Sequence, residues 1–258
     1  MADTHKRMKA AWPYPFWIAH RGAGKLAPEN TLAAFREGAR QGYRAFECDV
    51  KLSADDVPFL LHDSTLERTT SGQGVAGERN WSELSRLDAG SWHSPAYAGE
   101  PIPSLAAIAH FVRHNGFSVN LEIKPTPGLE ERTGRIVAEE AVRLWQGDDK
   151  PPLLSAFEPV ALAAARAAAP DLPRALLVDR FRDDWIEEAL ALGCVAVVTA
   201  TALMDALLMA RLRKAKLRAL TYTVNEPAEA QRLLMLRIDG VITDAVDRFS
   251  AQDVTVPA

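Results

Sequence analysis

Short apolar runs alternate along the chain with longer segments that carry apolar residues on one face only. Phe16–His20 is the first such run. After it, Asn30 offers a helix N-cap, Leu32, Phe35 and Ala39 recur at helical spacing, and Gly42 supplies a stop. Ala45–Lys51 reads as a strand, with Val57–His62 as an apolar extension or hairpin partner. Ser104 caps a predicted helix bearing Leu105, Ile108 and Val112 and ended by Gly116. Ser118–Lys124 is a strand and Glu130–Gln146 a helix. Beyond them the pattern predicts strands at Leu153–Phe157, Ala175–Val178, Val195–Thr199, Leu217–Val224 and Gly240–Thr243, with helices over 158–169, 183–192, 203–215 and 226–237.

Eight β/α units in sequence predict an α/β fold of the TIM (β/α)8 barrel type, with residues 1–258 forming a single catalytic barrel domain. A doubly wound open sheet is the alternative. It lacks support from His20-Arg21-Gly22-Ala23-Gly24, which is not followed by the third glycine and helix of a dinucleotide fingerprint. The rhythm breaks between His62 and Ser104, a stretch rich in Gly, Ser and Thr. Its one helical signal is near Trp81–Leu87, where Asn80 and Glu83 have capping-box spacing. A connection this long inside a compact domain is a lid or an inserted subdomain. The expectation is a small insertion after the second strand, residues 63–103, on the catalytic face.

Strand parity supplies the candidate chemistry. In Ala45–Lys51, Phe46, Cys48 and Val50 point one way while Glu47, Asp49 and Lys51 point the other. The split recurs in Val119–Lys124, where Asn120, Glu122 and Lys124 share a face. Parallel strands are normally apolar on both faces, and unpartnered buried carboxylates cost several kcal/mol. Acids converging inside a barrel must therefore pair, shift their pKa or bind a cation. All-oxygen ligands favour a hard divalent ion, Mg²⁺ or Ca²⁺. Salt bridges from Lys51, Lys124 or Arg21 are the competing explanation. His20 and His62 close apolar segments at the same end and could form an acid/base pair. Arg21 offers a fork, and Lys124 a point charge, for phosphate oxygens. His5, His93, His110 and His114 have no comparable company and read as surface or structural residues.

Composition narrows the class. The 258 residues are 48% hydrophobic and 25% charged, with a formal net charge of −4. That is globular composition without the basic excess of a nucleic-acid binder. Cys48 and Cys194, far apart and each in apolar surroundings, read as buried reduced thiols. Lys6, Arg7 and Lys9 precede the apolar run Ala10–Ala19, but Pro13 and Pro15 interrupt it and no small-residue cleavage site follows. It reads as a disordered start feeding the first strand. No apolar stretch reaches the roughly 18 residues of a membrane span. A cytoplasmic location without stable membrane association is expected.

Several motifs occur in order: His20-Arg21-Gly22, Pro28-Glu29-Asn30-Thr31, Glu47-Cys48-Asp49-Val50, His62-Asp63-Ser64-Thr65-Leu66-Glu67-Arg68-Thr69-Thr70, Leu87-Asp88-Ala89-Gly90, Ile102-Pro103-Ser104-Leu105, Leu121-Glu122-Ile123-Lys124-Pro125 and Thr223-Val224-Asn225. Together they resemble the glycerophosphodiester phosphodiesterase family, in its bacterial cytoplasmic form. The resemblance implies a barrel in which Glu47, Asp49 and Glu122 bind one divalent metal, His20 and His62 are catalytic, and Arg21 and Lys124 hold the phosphate. It also implies hydrolysis of a small-molecule glycerophosphodiester to glycerol 3-phosphate and an alcohol; we favour His20 as base and His62 as acid. Glu29 and Asn30 would cap the first helix and hold the His20–Arg21 loop. Where the family often has tryptophan, this chain has Tyr222, expected to contact substrate. The rival readings are a phospholipase-type barrel acting on membrane lipid and a non-catalytic phosphate-ligand binder.

Overall fold

The computed structural model describes residues 12–249. Lys6, Arg7, Lys9 and His5 lie outside them. Eight parallel strands close on themselves: β1 (Trp17–Ala19), β2 (Ala45–Leu52), β4 (Ser118–Ile123), β5 (Leu153–Ala156), β6 (Arg174–Val178), β7 (Ala196–Ala200), β8 (Arg218–Tyr222) and β9 (Gly240–Thr243). Neighbours in sequence are neighbours in the sheet, and β1 pairs with both β2 and β9, which closes the barrel. The short β3 (Pro58–Leu60) folds back antiparallel on β2. The barrel is of the TIM type, with one extra strand.

Helices α1 (Leu32–Arg40), α3 (Leu105–His114), α4 (Glu130–Leu144), α5 (Pro159–Ala168), α6 (Trp185–Ala191), α7 (Ala206–Ala215) and α8 (Pro227–Met235) connect the strands, while α2 (Trp81–Leu84) lies between β3 and α3. The expected eighth helix is not found in the described residues, where β9 runs into turns. The α1 cap also differs from expectation. Thr31, not Asn30, accepts the Ala34 amide, because Asn30 takes a left-handed conformation (φ 59°) that turns its side chain toward β2. Ser104 and the Asn80/Glu83 box cap α3 and α2 as their spacing predicts.

Alternation along the strands sorts the core into two layers. Phe46, Cys48, Val50, Val119, Leu121 and Ile123 face outward into the main core with the helices. Inside the barrel, Ile18, Ala45, Leu153, Ala175, Leu177, Val198, Leu220 and Ile242 fill the lower layers together with Tyr14. The Tyr14 hydroxyl donates to the Pro151 carbonyl, and Trp12 packs edge-on against the Tyr14 ring. A third cluster (Phe59, Leu61, Leu66, Ala76, Leu84, Ala89, Ile102) underlies the segment between β3 and α3. Cys48 and Cys194 are both free and buried.

Candidate active site

The register of β2 and β4 assembles the acids. Running parallel, these strands place Glu47 beside Asn120 and Asp49 beside Glu122. Glu47, Asp49 and Glu122 are buried, and each offers an oxygen within 4.8 Å of the others'. Burial and the neighbouring Asp49 push Glu47 up to about 8, and the same two causes raise Glu122. Burial would raise Asp49 too, but Arg21, His62 and Lys124 together hold it below the ordinary carboxylate value. Lys124 Nζ lies 2.7 Å from Glu122 Oε1 and 3.9 Å from Asp49 Oδ1.

The fit to a cation can be tested on the acids themselves. Glu47 Oε1 is buried without a hydrogen-bond partner among the described residues. Lys51 does not fill the need: it is fully buried, yet its ammonium donates to the Lys124 carbonyl at 3.1 Å rather than to an acid. Two close cations cannot neutralise three ionised carboxylates, and a bound cation would both compensate that charge and partner the orphaned Glu47 oxygen. The donor set is all oxygen, as a hard divalent ion requires.

The loop after β1 carries the first histidine to the rim. His20–Gly22 form one 3-10 turn in which Arg21 has φ 50°, and this left-handed kink lets the Arg21 amide donate to Glu47 Oε2 at 3.0 Å. The Asn30 amide ties back to the Arg21 carbonyl, while the Asn30 side chain donates to Asp49 and accepts its amide. His20 Nδ1 sits 2.6 Å from Asp244 Oδ1, and its Nε2 lies 3.8 Å from Glu47 Oε2. Burial opposes charge on His20, but the Asp244 hydrogen bond and the Glu47 charge outweigh it and raise its pKa. Asp244 is held in turn by Asn225, which donates to Oδ2 at 3.1 Å and accepts the Asp244 amide at 2.9 Å.

His62 follows β3 at the same mouth. Its Nδ1 is 2.7 Å from Asp63 Oδ1. Burial lowers its pKa despite the field of Asp49. Asp63 and Glu29 converge on Arg68, which donates to both through its guanidinium. Glu29 also accepts from Arg21 Nη1 at 2.8 Å. Arg21 Nε lies 3.3 Å from Asp49, and its Nη2 has no hydrogen-bond partner among the described residues. Tyr222 ends β8, half-buried, edge-to-face with Phe157, whose ring also lies 5.3 Å from the Lys124 ammonium.

All eight residues singled out from sequence thus lie around one barrel mouth. Missed were Asp244, Arg68 and Phe157, and the histidine-orienting part of Asp63. Asp244 had a usable signal: it closes the last strand at the same end as His20, His62 and Lys124. Arg68 stands in the motif His62–Thr70, but its partners are set by how the segment after His62 folds back. His93 lies closer to the site than its surroundings in sequence imply, against the loop after β1 through a 3.0 Å contact from Nε2 to the Lys25 carbonyl.

Residues 20–248 match the model of the glycerophosphoryl diester phosphodiesterase family. A glycerophosphodiester phosphodiesterase of Caldanaerobacter subterraneus subsp. tengcongensis is 30% identical over 231 residues, covering 88% of this chain and 93% of its own. The barrel superposes on a phosphodiesterase from Oleispira antarctica, solved in complex with the product sn-glycerol-3-phosphate, with a TM-score of 0.86 and 34% identity, covering 93% of this chain and 97% of that one. A glycerophosphodiester phosphodiesterase from Agrobacterium tumefaciens gives a TM-score of 0.74 at 27% identity, covering 92% and 99%. Members of this family are generally dependent on a divalent metal, in keeping with the buried acidic triad. With the family model spanning the barrel and its acid-lined mouth, the chain belongs to the glycerophosphoryl diester phosphodiesterase family and is a phosphodiesterase.

Proposed function

We propose that this enzyme hydrolyses small glycerophosphodiesters to glycerol 3-phosphate and an alcohol, using two histidines and one divalent cation. The observation that carries the reading is the buried triad of Glu47, Asp49 and Glu122, framed by His20, His62, Arg21 and Lys124. The Oleispira antarctica enzyme, solved with sn-glycerol-3-phosphate, supports the product side. Glu47, Asp49 and Glu122 would hold Mg²⁺ or Ca²⁺, which would supply Lewis-acid stabilisation of charge on the phosphoryl oxygens. Arg21 Nη2 and the ammonium of Lys124 bind the same group of oxygens from the protein side. Each histidine keeps Nε2 for chemistry because a carboxylate engages Nδ1. One takes the proton of the nucleophile and the other protonates the departing alkoxide. The raised pKa of His20 and the lowered pKa of His62 favour His20 as acid and His62 as base, the reverse of the order expected from sequence. The Tyr222 and Phe157 rings form an apolar wall for the glycerol end.

Residues 63–103 form the catalytic-face insertion of a single catalytic barrel in this reading. Two buried free thiols suit a reducing cytoplasm. No helix of the described residues is long and apolar enough to cross a membrane. The deciding assay is turnover of glycerophosphocholine and glycerophosphoethanolamine with and without EDTA, for the wild type and for His20→Ala, His62→Ala and Glu122→Ala. Each variant is expected to lose about 10²–10⁴-fold in kcat. Full activity in any of them removes that residue from the mechanism.

A further inference from the structure

A cavity of about 420 Å³ opens beside His20 and is lined by His20, Arg21, Lys25, Glu29, Trp92 and Asp244, among others. Its two sides come from different parts of the chain, the loop after β1 and the segment between β3 and α3. These are latched together in three places: His93 to the Lys25 carbonyl, Arg68 to Glu29, and Glu100 to the Ala33 amide at the start of α1. The floor is equally fixed. A Cβ on Gly24 would come within 2.1 Å of the Asp244 carbonyl oxygen, so the loop is seated directly on the end of β9. The cavity is therefore built into the fold, and it adjoins the His20 imidazole.

A phosphodiester has two alcohol ends. With the phosphate at the metal triad and one end against Tyr222 and Phe157, the other end is left for this cavity. Its lining specifies the chemistry of that end. Both carboxylates are already spent: Glu29 accepts three hydrogen bonds from Arg21 and Arg68, and Asp244 is held by His20 and Asn225. Lys25 is exposed and makes no ion pair among the described residues. The uncommitted charge at the cavity is thus positive, which disfavours a choline or ethanolamine cation. Trp92 uses its indole N–H on the Ala89 carbonyl and so offers the cavity only its apolar ring, of which 41% of the residue's surface is exposed. An aromatic ring and an unpaired lysine lining one cavity suit a ligand with C–H groups on one face and hydroxyl acceptors at its edge.

We propose that this cavity is the leaving-alcohol subsite and that it selects an uncharged polyol, of cyclitol or sugar type, over a quaternary ammonium alcohol. The assignment rests on the hydrolase reading above. Steady-state kcat/KM would be measured on glycerophosphoinositol, glycerophosphocholine and glycerophosphoglycerol for the wild type, Trp92→Ala and Lys25→Glu. The wild type is expected to favour the inositol ester over the choline ester by about tenfold or more. Trp92→Ala should lose about tenfold on the inositol ester, through KM, and less than about twofold on the choline ester. Lys25→Glu, an exposed position tolerant of folding, should shift preference toward the choline ester. Wild-type preference for the choline ester overturns the proposal, as does an unchanged substrate ratio in both variants. Absence of turnover on all three esters overturns the hydrolase reading itself, and the assignment with it.

Discussion

Asp244 controls which nitrogen of His20 is available. Its carboxylate engages Nδ1, leaves Nε2 toward the triad, and is itself clamped at two atoms by Asn225. Asp244→Ala is expected to lower kcat by about 10²-fold or more with little change in KM, because ring orientation is lost while phosphate binding is not. Asn225→Ala should give a smaller loss of the same kind, and steady-state kinetics separates the two. Glu47 makes a different prediction. Its folded pKa of about 8 lies above its ordinary value of 4.5, so between those limits the folded protein holds a proton that the unfolded chain releases. Stability then falls as pH rises across that window, by up to about 1.4 kcal/mol per unit for one proton. Metal-free protein should show a Tm that declines from pH 5 to pH 8, and Glu47→Gln should flatten the slope. A Tm rising over that range in the metal-free wild type contradicts the assignment. The acids were legible in sequence because a period of two exposes any charge on the inner face of a strand. The Asp244 contact was not, because a separation of 224 residues carries no local signature.

At the scale of elements, the loop after β1 and the segment after His62 act as one assembly. Arg68 is the bolt between them, bridging Glu29 and Asp63, and Asp63 orients His62. Arg68→Ala should therefore lower kcat by about tenfold or more through misorientation of His62, while thermal stability changes by less than about 1 kcal/mol, as for exposed ion pairs. Thr31→Ala supplies the contrast. Loss of the α1 cap should cost about 1 kcal/mol of stability. It should leave kcat nearly unchanged, with denaturant unfolding and kinetics run in parallel. Here the sequence misled in an instructive way. Asn30 has the composition of a cap and stands next to one, but its side chain is drawn off to Asp49, where it both donates and accepts. A residue type that can satisfy either a helix end or a buried acid goes to the acid, where an unmet hydrogen bond costs more.

For the whole molecule, the alternating pattern of runs and faces made the barrel readable before any coordinate, and the order of strands follows from it. What it could not show is how the ends of the pattern are finished: the absent eighth helix within the described residues, and the plug of Trp12 and Tyr14 beneath the inner core. Metal binding should be visible globally. A cation held by three buried acids binds the folded state alone, so saturating Mg²⁺ or Ca²⁺ should raise Tm and EDTA should lower it, with Glu122→Ala abolishing the difference. Calorimetry with and without chelator measures this independently of turnover.

The seam at which β1 meets β9 has a consequence for biosynthesis. His20 emerges among the first residues of the barrel and Asp244 among the last, and their pairing spans the closing strands. A ribosome-bound chain that has not yet released residues 240–244 carries the acids, both histidines and both cations but cannot aim His20. A chain halted short of β9 lacks the strand that closes the barrel as well as the carboxylate that holds His20, and should neither bind metal as the whole protein does nor turn over substrate.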